Sequence, residues 1–176
     1  MGIQHNKETK RWLLKAPMHM HYINELLTVF PDACIVQLHR DPIKIMASAC
    51  SLIESVRQLW SPEVDLKVVG KDIYNELYMM LNHSIQSRKE TGMKNIIDIK
   101  YDDLVQSPIA TVNKIYQYFS YPMSEDFEEN MLKHISDNPQ HKHGVHSYSL
   151  EKYGLNEDEV KKEFEQLYEK AGIAII

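Results

Sequence analysis

Glycine and cysteine are scarce in this chain, and positive charge is in deficit. The 176 residues hold six glycines and two cysteines. Cys34 and Cys50 form no CxxC pair, which excludes a disulfide framework and a zinc ribbon. Both are expected to be buried thiols in a reducing compartment. Lys and Arg number 20 against 25 Asp and Glu, a net charge of -5. A polynucleotide binder carries a basic face, so no nucleic acid is expected as a partner. A single anionic nucleotide stays open, because it needs only a local positive site. No apolar run approaches the roughly 20 residues of a membrane-spanning helix. Met1–Lys10 also lacks the apolar stretch of a secretion signal. No membrane partner is therefore expected, and the expected location is the cytoplasm. No glycine opens a phosphate loop. Val69-Gly70-Lys71 has the Gly-Lys pair but not the earlier glycine that such a loop requires.

What is present is an ordinary globular balance, 43% apolar and 26% charged, expected to fold as one domain over residues 1–176. Arg11–Lys15 reads as a short buried strand, ended by Pro17, which can open a helix. Ile23, Leu26, Leu27 and Phe30 recur at helical spacing until Pro31-Asp32. Ala33–Leu38 is a second apolar, β-branched run. Asp41 then suits an N-cap and Pro42 the first helical position, with Ile43, Met46, Ala47, Cys50 and Ile53 on one face. Further on, Trp60-Ser61-Pro62 reads as a break and 71–89 as a helix. Asn95–Tyr101 reads as a strand, and Pro108 opens another helix. Ser124 caps a helix through Ile135, and Asn156 with Glu159 caps the last one. Between those two lies a basic, His-rich loop, 138–149. Strand, short loop and helix in close order indicate an α/β unit.

Arg40 follows the second strand and precedes a helix N-terminus, a position where anions bind readily. Its forked, permanently charged donor suits phosphate oxygens. Ser48 lies about 9 Å along the helix from Pro42, so one phosphate beside the first turns can meet both. The plainer alternative pairs Arg40 with Asp41 or another carboxylate and leaves Ser48 as a small packing residue.

Several segments in order carry a family likeness. Leu13-Leu14-Lys15-Ala16-Pro17, then Val29-Phe30-Pro31-Asp32-Ala33, then His39-Arg40-Asp41-Pro42 with Ser48 resemble the core of the bacterial-type sulfotransferases. These use 3′-phosphoadenosine 5′-phosphosulfate (PAPS) as co-substrate, and are related to tyrosylprotein sulfotransferases and, more distantly, to cytosolic ones. The likeness continues at Tyr101-Asp102-Asp103-Leu104 with Ser107-Pro108. It returns at Lys142-His143-Gly144, Tyr148–Glu151 and Tyr153-Gly154-Leu155. It implies a three-layer, P-loop-like α/β fold with a small, incomplete parallel sheet. The Lys15, Leu38 and Tyr101 strands would be neighbours, with helices on both faces.

The resemblance also implies roles. Arg40 and Ser48 match the residues that bind the 3′-phosphate, and Tyr101 matches a tyrosine near the adenine. His143 and Gly144 fall in a loop that adds nucleotide contacts, with Ser147 and Tyr148 behind them. Lys15 matches a strand-end lysine on the transferring sulfuryl group, where a fixed cation stabilises developing charge. His19, in Lys-x-Pro-x-His, is placed to take the acceptor's proton, although relatives differ between histidine and glutamate as base. The plain readings are a solvated Lys15, a first-turn His19 and a core Tyr101. No metal is implied. His141, His143 and His146, with His19 and His21, fit no standard ligand spacing and read better as an exposed His-rich loop. The acceptor is a small molecule or peptide bearing a hydroxyl or amine. Gln58–Met80, with Trp60, Tyr74 and Tyr78, is a candidate part of its pocket.

One departure matters. Sulfotransferases cradle the 5′-phosphosulfate on an N-terminal strand, loop and helix, through backbone N–H groups. Here only Met1–Lys10 precedes the Lys15 run. The chain is therefore expected to be the C-terminal portion of the fold, completed by a separate N-terminal segment or by homo-oligomerisation. The alternative is a non-catalytic nucleotide-binding or interaction module.

Overall fold

The computed structural model describes residues 12–91, 95–139 and 149–172. After an extended segment at 12–16, a 3-10 turn spans Pro17–His21. Then follow α1 (Ile23–Val29), β1 (Ile35–His39), α2 (Pro42–Gln58), α3 (Leu66–Thr91) and β2 (Ile96–Lys100). The chain continues through α4 (Tyr101–Gln106), α5 (Pro108–Tyr118), α6 (Glu125–Asp137), a 3-10 turn at Glu151–Tyr153 and α7 (Glu157–Ala171).

Three helices start where their capping residues predict. Asp41, Ser124 and Asn156 each accept a backbone N–H of the first turn with the side chain. The third long helix begins five residues earlier than 71, at Leu66. Asp65 is its cap: its Oδ1 accepts from the N–H of Lys67 and Val68 at 2.9 and 3.2 Å.

The sheet has two parallel strands, paired from Ile35↔Ile96 to His39↔Lys100. Parallel pairing follows from the long α2–α3 crossover between them. Gln37 and Asp98 are register partners facing α3, whose Ser84 and Arg88 reach them. Ile97 and Ile99 point to the other face and are buried, and α4 and α5 both pack on β2. β1 is less covered there: Val36 and Leu38 remain 42% and 44% exposed.

The expected Arg11–Lys15 strand is not seen: residues 12–15 make no strand, and Leu13 is 97% exposed. An apolar run becomes a strand only where a neighbour shares its N–H and C=O groups, and no described residue offers one. β2 also stops at Lys100, so Tyr101 is the first residue of α4 rather than the last of a strand.

The core lies between α2, α3, α7 and the 150–153 turn. It is built from Met46, Ala47 and Cys50, from Val69, Leu81 and Ile85, and from Leu150, Tyr153, Val160, Phe164, Leu167 and Tyr168. Cys50 is buried as expected, and burial pushes its thiol pKa up to about 11. Cys34 instead lies exposed, just ahead of β1, with Sγ 3.0 Å from Tyr121 Oη. Gly70 is explained by packing rather than by phosphate. A Cβ there would sit 2.2 Å from the Tyr153 carbonyl oxygen, so only glycine lets α3 approach that turn.

Candidate functional site

The parallel register builds the site. Because His39 pairs with Lys100, the next residues, Arg40 and Tyr101, emerge side by side at the carboxyl ends of the strands. The Arg40 guanidinium carbon lies 4.5 Å from the Tyr101 ring centroid, a cation–π contact. Asp41 does not neutralise Arg40. Its carboxylate is committed to the α2 cap, accepting from Ile43 N–H at 2.9 Å. Among the described residues no carboxylate forms an ion pair with Arg40. Among the described residues, none takes up the N–H edge of this half-buried cation at a helix N-terminus.

Ser48 is half-buried on α2, two turns past Pro42. Ser55, on the same helix, back-bonds to the Ser51 carbonyl, whereas no such bond joins Ser48 to its own preceding turn. Lys15 and His19 are exposed, and among the described residues no hydrogen bond, ion pair or ring contact joins them to Arg40 or Ser48. His143 and Gly144 lie outside the described residues, as do Ser147 and Tyr148. The segment after them is anchored. Leu150 is fully buried, and Glu54 on α2 accepts from Lys152 Nζ at 2.8 Å and from Tyr153 Oη at 2.6 Å. These two hydrogen bonds hold the Glu54 carboxyl below its ordinary range.

The acceptor-pocket residues part company. Tyr74 and Tyr78 stack on each other and meet Phe164 edge-on, with centroids about 6 Å apart. Tyr74 also donates to Glu163. They join α3 to α7 rather than line a cavity, while Trp60 is 88% exposed.

Beneath Arg40 lies a polar network that sequence reasoning passed over. Arg88 donates to both Asp98 oxygens at 2.8 Å and to Gln37 Oε1 at 2.6 Å, and Ser84 Oγ donates to the same Gln37 oxygen at 2.9 Å. His39 Nε2 lies 2.6 Å from Asp98 Oδ1. Burial raises the Asp98 pKa, but hydrogen bonds from His39 and Arg88 outweigh it and hold the carboxyl well below the usual range. His39 packs edge-on against Tyr168, whose phenol is pushed up to about 12 by burial and by the Asp98 charge. The available signal was period-two polarity: Gln37 and His39 alternate with apolar residues in β1, as Asp98 does in β2.

With this geometry in place, comparison with known proteins decides the family. A profile described as the sulfotransferase family matches residues 2–125. The chain belongs to the sulfotransferase family. It is 27% identical over 150 residues to the omega-hydroxy-beta-dihydromenaquinone-9 sulfotransferase of Mycobacterium tuberculosis, covering 82% of this chain and 37% of that protein. It is 25% identical over 133 residues to a flavonol sulfotransferase-like protein of Flaveria bidentis, covering 72% and 43%. Among solved structures it superposes on a sulfotransferase from Mycobacterium avium with a TM-score of 0.81 and 25% identity, covering 93% of this chain and 42% of that one. A sulfotransferase from Mycobacterium tuberculosis gives 0.75 and 33%, covering 88% and 39%. The chain thus spans about two fifths of the length of these relatives.

The likeness to the solved sulfotransferases agrees with the expected α/β class, and the helical surround of a small parallel sheet is as expected. Among the described residues no group of three His, Cys, Asp or Glu can hold a metal, and no helix is long and apolar enough to cross a membrane.

Proposed function

We propose that this chain binds PAPS, with Arg40 and Ser48 on the 3′-phosphate and Tyr101 beside the adenine, and serves transfer of its sulfuryl group. The observation that carries this reading is the Arg40–Tyr101 pair at the carboxyl ends of the parallel ladder, where α/β sheets bind ligands, free of any carboxylate among the described residues. Stacking uses the face of the guanidinium and leaves its N–H fork for phosphate oxygens.

In the transfer, the acceptor oxygen attacks sulfur. The bond from sulfur to the bridging phosphate oxygen breaks, the new S–O bond forms, and the acceptor's proton passes to a base. Lys15 is the cation for the sulfuryl oxygens and His19 the base. His143 and Gly144 add contacts to the nucleotide. The family resemblance to bacterial-type and tyrosylprotein sulfotransferases supports these assignments. The two relatives are named for a hydroxylated menaquinone and a flavonol, which favours a hydroxyl over an amine on the acceptor.

A parallel sheet is normally covered on both faces, so the exposed Val36 and Leu38 of β1 offer a face on which a further layer or a second copy would pack. A second reading, a nucleotide-binding module without catalysis, is favoured by the exposure of Lys15 and His19, which share no hydrogen bond or ion pair with Arg40 among the described residues.

Calorimetric titration tests the first reading. Arg40→Ala should weaken binding of adenosine 3′,5′-bisphosphate by roughly 2–4 kcal/mol while changing 5′-AMP binding far less. Equal losses for both ligands would show that Arg40 does not read the 3′-phosphate. Labelled sulfuryl transfer to a panel of hydroxyl acceptors then separates enzyme from module.

A further inference from the structure

His21 closes the 3-10 turn that contains His19 and begins two residues after Lys15. His19 is exposed, but both ring nitrogens of His21 are engaged by α3. Its Nε2 lies 2.9 Å from Glu76 Oε1, and its Nδ1 lies 2.9 Å from Nδ1 of His83. The His21 side chain is only 11% exposed, and its ring meets that of His83 edge-on with centroids 5.2 Å apart.

We propose that His21 is the positioning residue of the Lys15–His19 segment. It is latched to α3 by a single hydrogen shared with His83, and double protonation of the pair releases the turn. The functional weight of this latch rests on the roles proposed for Lys15 and His19; its existence does not. A carboxylate only accepts, so His21 Nε2 carries a hydrogen directed at Glu76. Two Nδ1 atoms at hydrogen-bonding distance can hold only one hydrogen between them. With both rings neutral, His83 donates it. With one added proton on the pair, the hydrogen bond also survives, donated by whichever ring is the cation. With two added protons both Nδ1 atoms carry hydrogens, the contact becomes a clash, and two cations face one carboxylate.

His83 itself is exposed, and among the described residues neither ring makes a further hydrogen bond or ion pair. From α3 the facing groups are Glu76 and His83. The other element against this turn is α1, whose one charged residue is Glu25, and whose N-cap Tyr22 places its ring 5.9 Å from that of His21. No other ion pair reaches His21 among the described residues.

The test reads the turn itself, so it stands or falls independently of nucleotide binding. In 15N-labelled protein a through-hydrogen-bond coupling should join the two Nδ1 nuclei and vanish on acidification. The amides of His19 and Tyr22, bonded to the Ala16 and His19 carbonyls, report the turn. Corrected for intrinsic rates, their exchange should quicken about tenfold or more as both rings become protonated. His83→Ala should exchange fast already at neutral pH and lose the acid step. His83→Gln can keep a hydrogen bond without titrating, and should hold the turn at every pH. Absence of the Nδ1–Nδ1 coupling, or identical exchange in wild type and both variants across pH, would overturn the proposal. Urea midpoints of the variants confirm that each is folded.

Discussion

His39 donates from Nε2 to Asp98 Oδ1 across 2.6 Å, on the face where α3 brings Arg88 to the same carboxylate. Removing that acceptor leaves donors from His39 and Arg88 unpaired in a largely covered place. Asp98→Ala should therefore cost about 1–3 kcal/mol. The Asp98 carboxyl is held below its ordinary range against the effect of burial, by hydrogen bonds from His39 and Arg88. A lowered folded pKa gives stability that is complete above the unfolded value, near about 4. It fades as pH falls from there through the folded value. Urea denaturation from pH 7 downward should show the gap between wild type and Asp98→Ala closing only in acid. A gap that widens in acid would contradict the network.

Arg40 is both charged and stacked, so its two substitutions should differ. Arg40→Lys keeps charge but loses the fork and the face on Tyr101, and should weaken adenosine 3′,5′-bisphosphate binding about tenfold. Tyr101→Leu should cost about 0.5–1 kcal/mol through the lost cation–π contact, with the fold intact by circular dichroism. Ser48→Ala should cost about 1 kcal/mol for the bisphosphate, and nothing for ligands without a 3′-phosphate.

Gly70→Ala sets two effects against each other. In a helix interior alanine gains about 1 kcal/mol over glycine. Here the added carbon would lie 2.2 Å from a backbone oxygen and 2.9 Å from Tyr153 Cβ, so the 150–153 turn must move. Overpacking of this kind costs about 1–3 kcal/mol, occasionally more, and backbone yields less than a side-chain tip. A net fall in thermal midpoint is expected, read by calorimetry.

The two thiols should separate cleanly. Cys50 is buried with its pKa pushed up to about 11, whereas Cys34 is exposed. Brief alkylation at mildly alkaline pH, followed by peptide mass mapping, should label Cys34 and leave Cys50 untouched until denaturant is added.

Local chemistry was legible wherever one residue decides it. Asp41, Ser124 and Asn156 announced their helices, and Arg40 its place after β1. The Lys15 run was misread because strand formation depends on a neighbour, which no single segment specifies. Asp65 was missed although Leu66, Val69 and Ile73 already follow it at helical spacing. The Arg88–Asp98–Gln37 network and the Glu76–His21–His83 latch join residues far apart in the chain, and spacing says nothing about such meetings. Arg40 and Tyr101 were each singled out, but their contact needed the strand register.

That register acts as a ruler for length change. His39 and Lys100 are the last rungs of the ladder, and side chains alternate faces along each strand. Losing or gaining one residue within 35–39 or 96–100 would turn Arg40 or Tyr101 to the opposite side without altering either residue. The surface turns at 59–65 and 119–123 carry no such constraint. Insertions and deletions that spare function should collect in those turns, and a single-residue shift in either strand should disable the proposed anion site as completely as loss of the arginine.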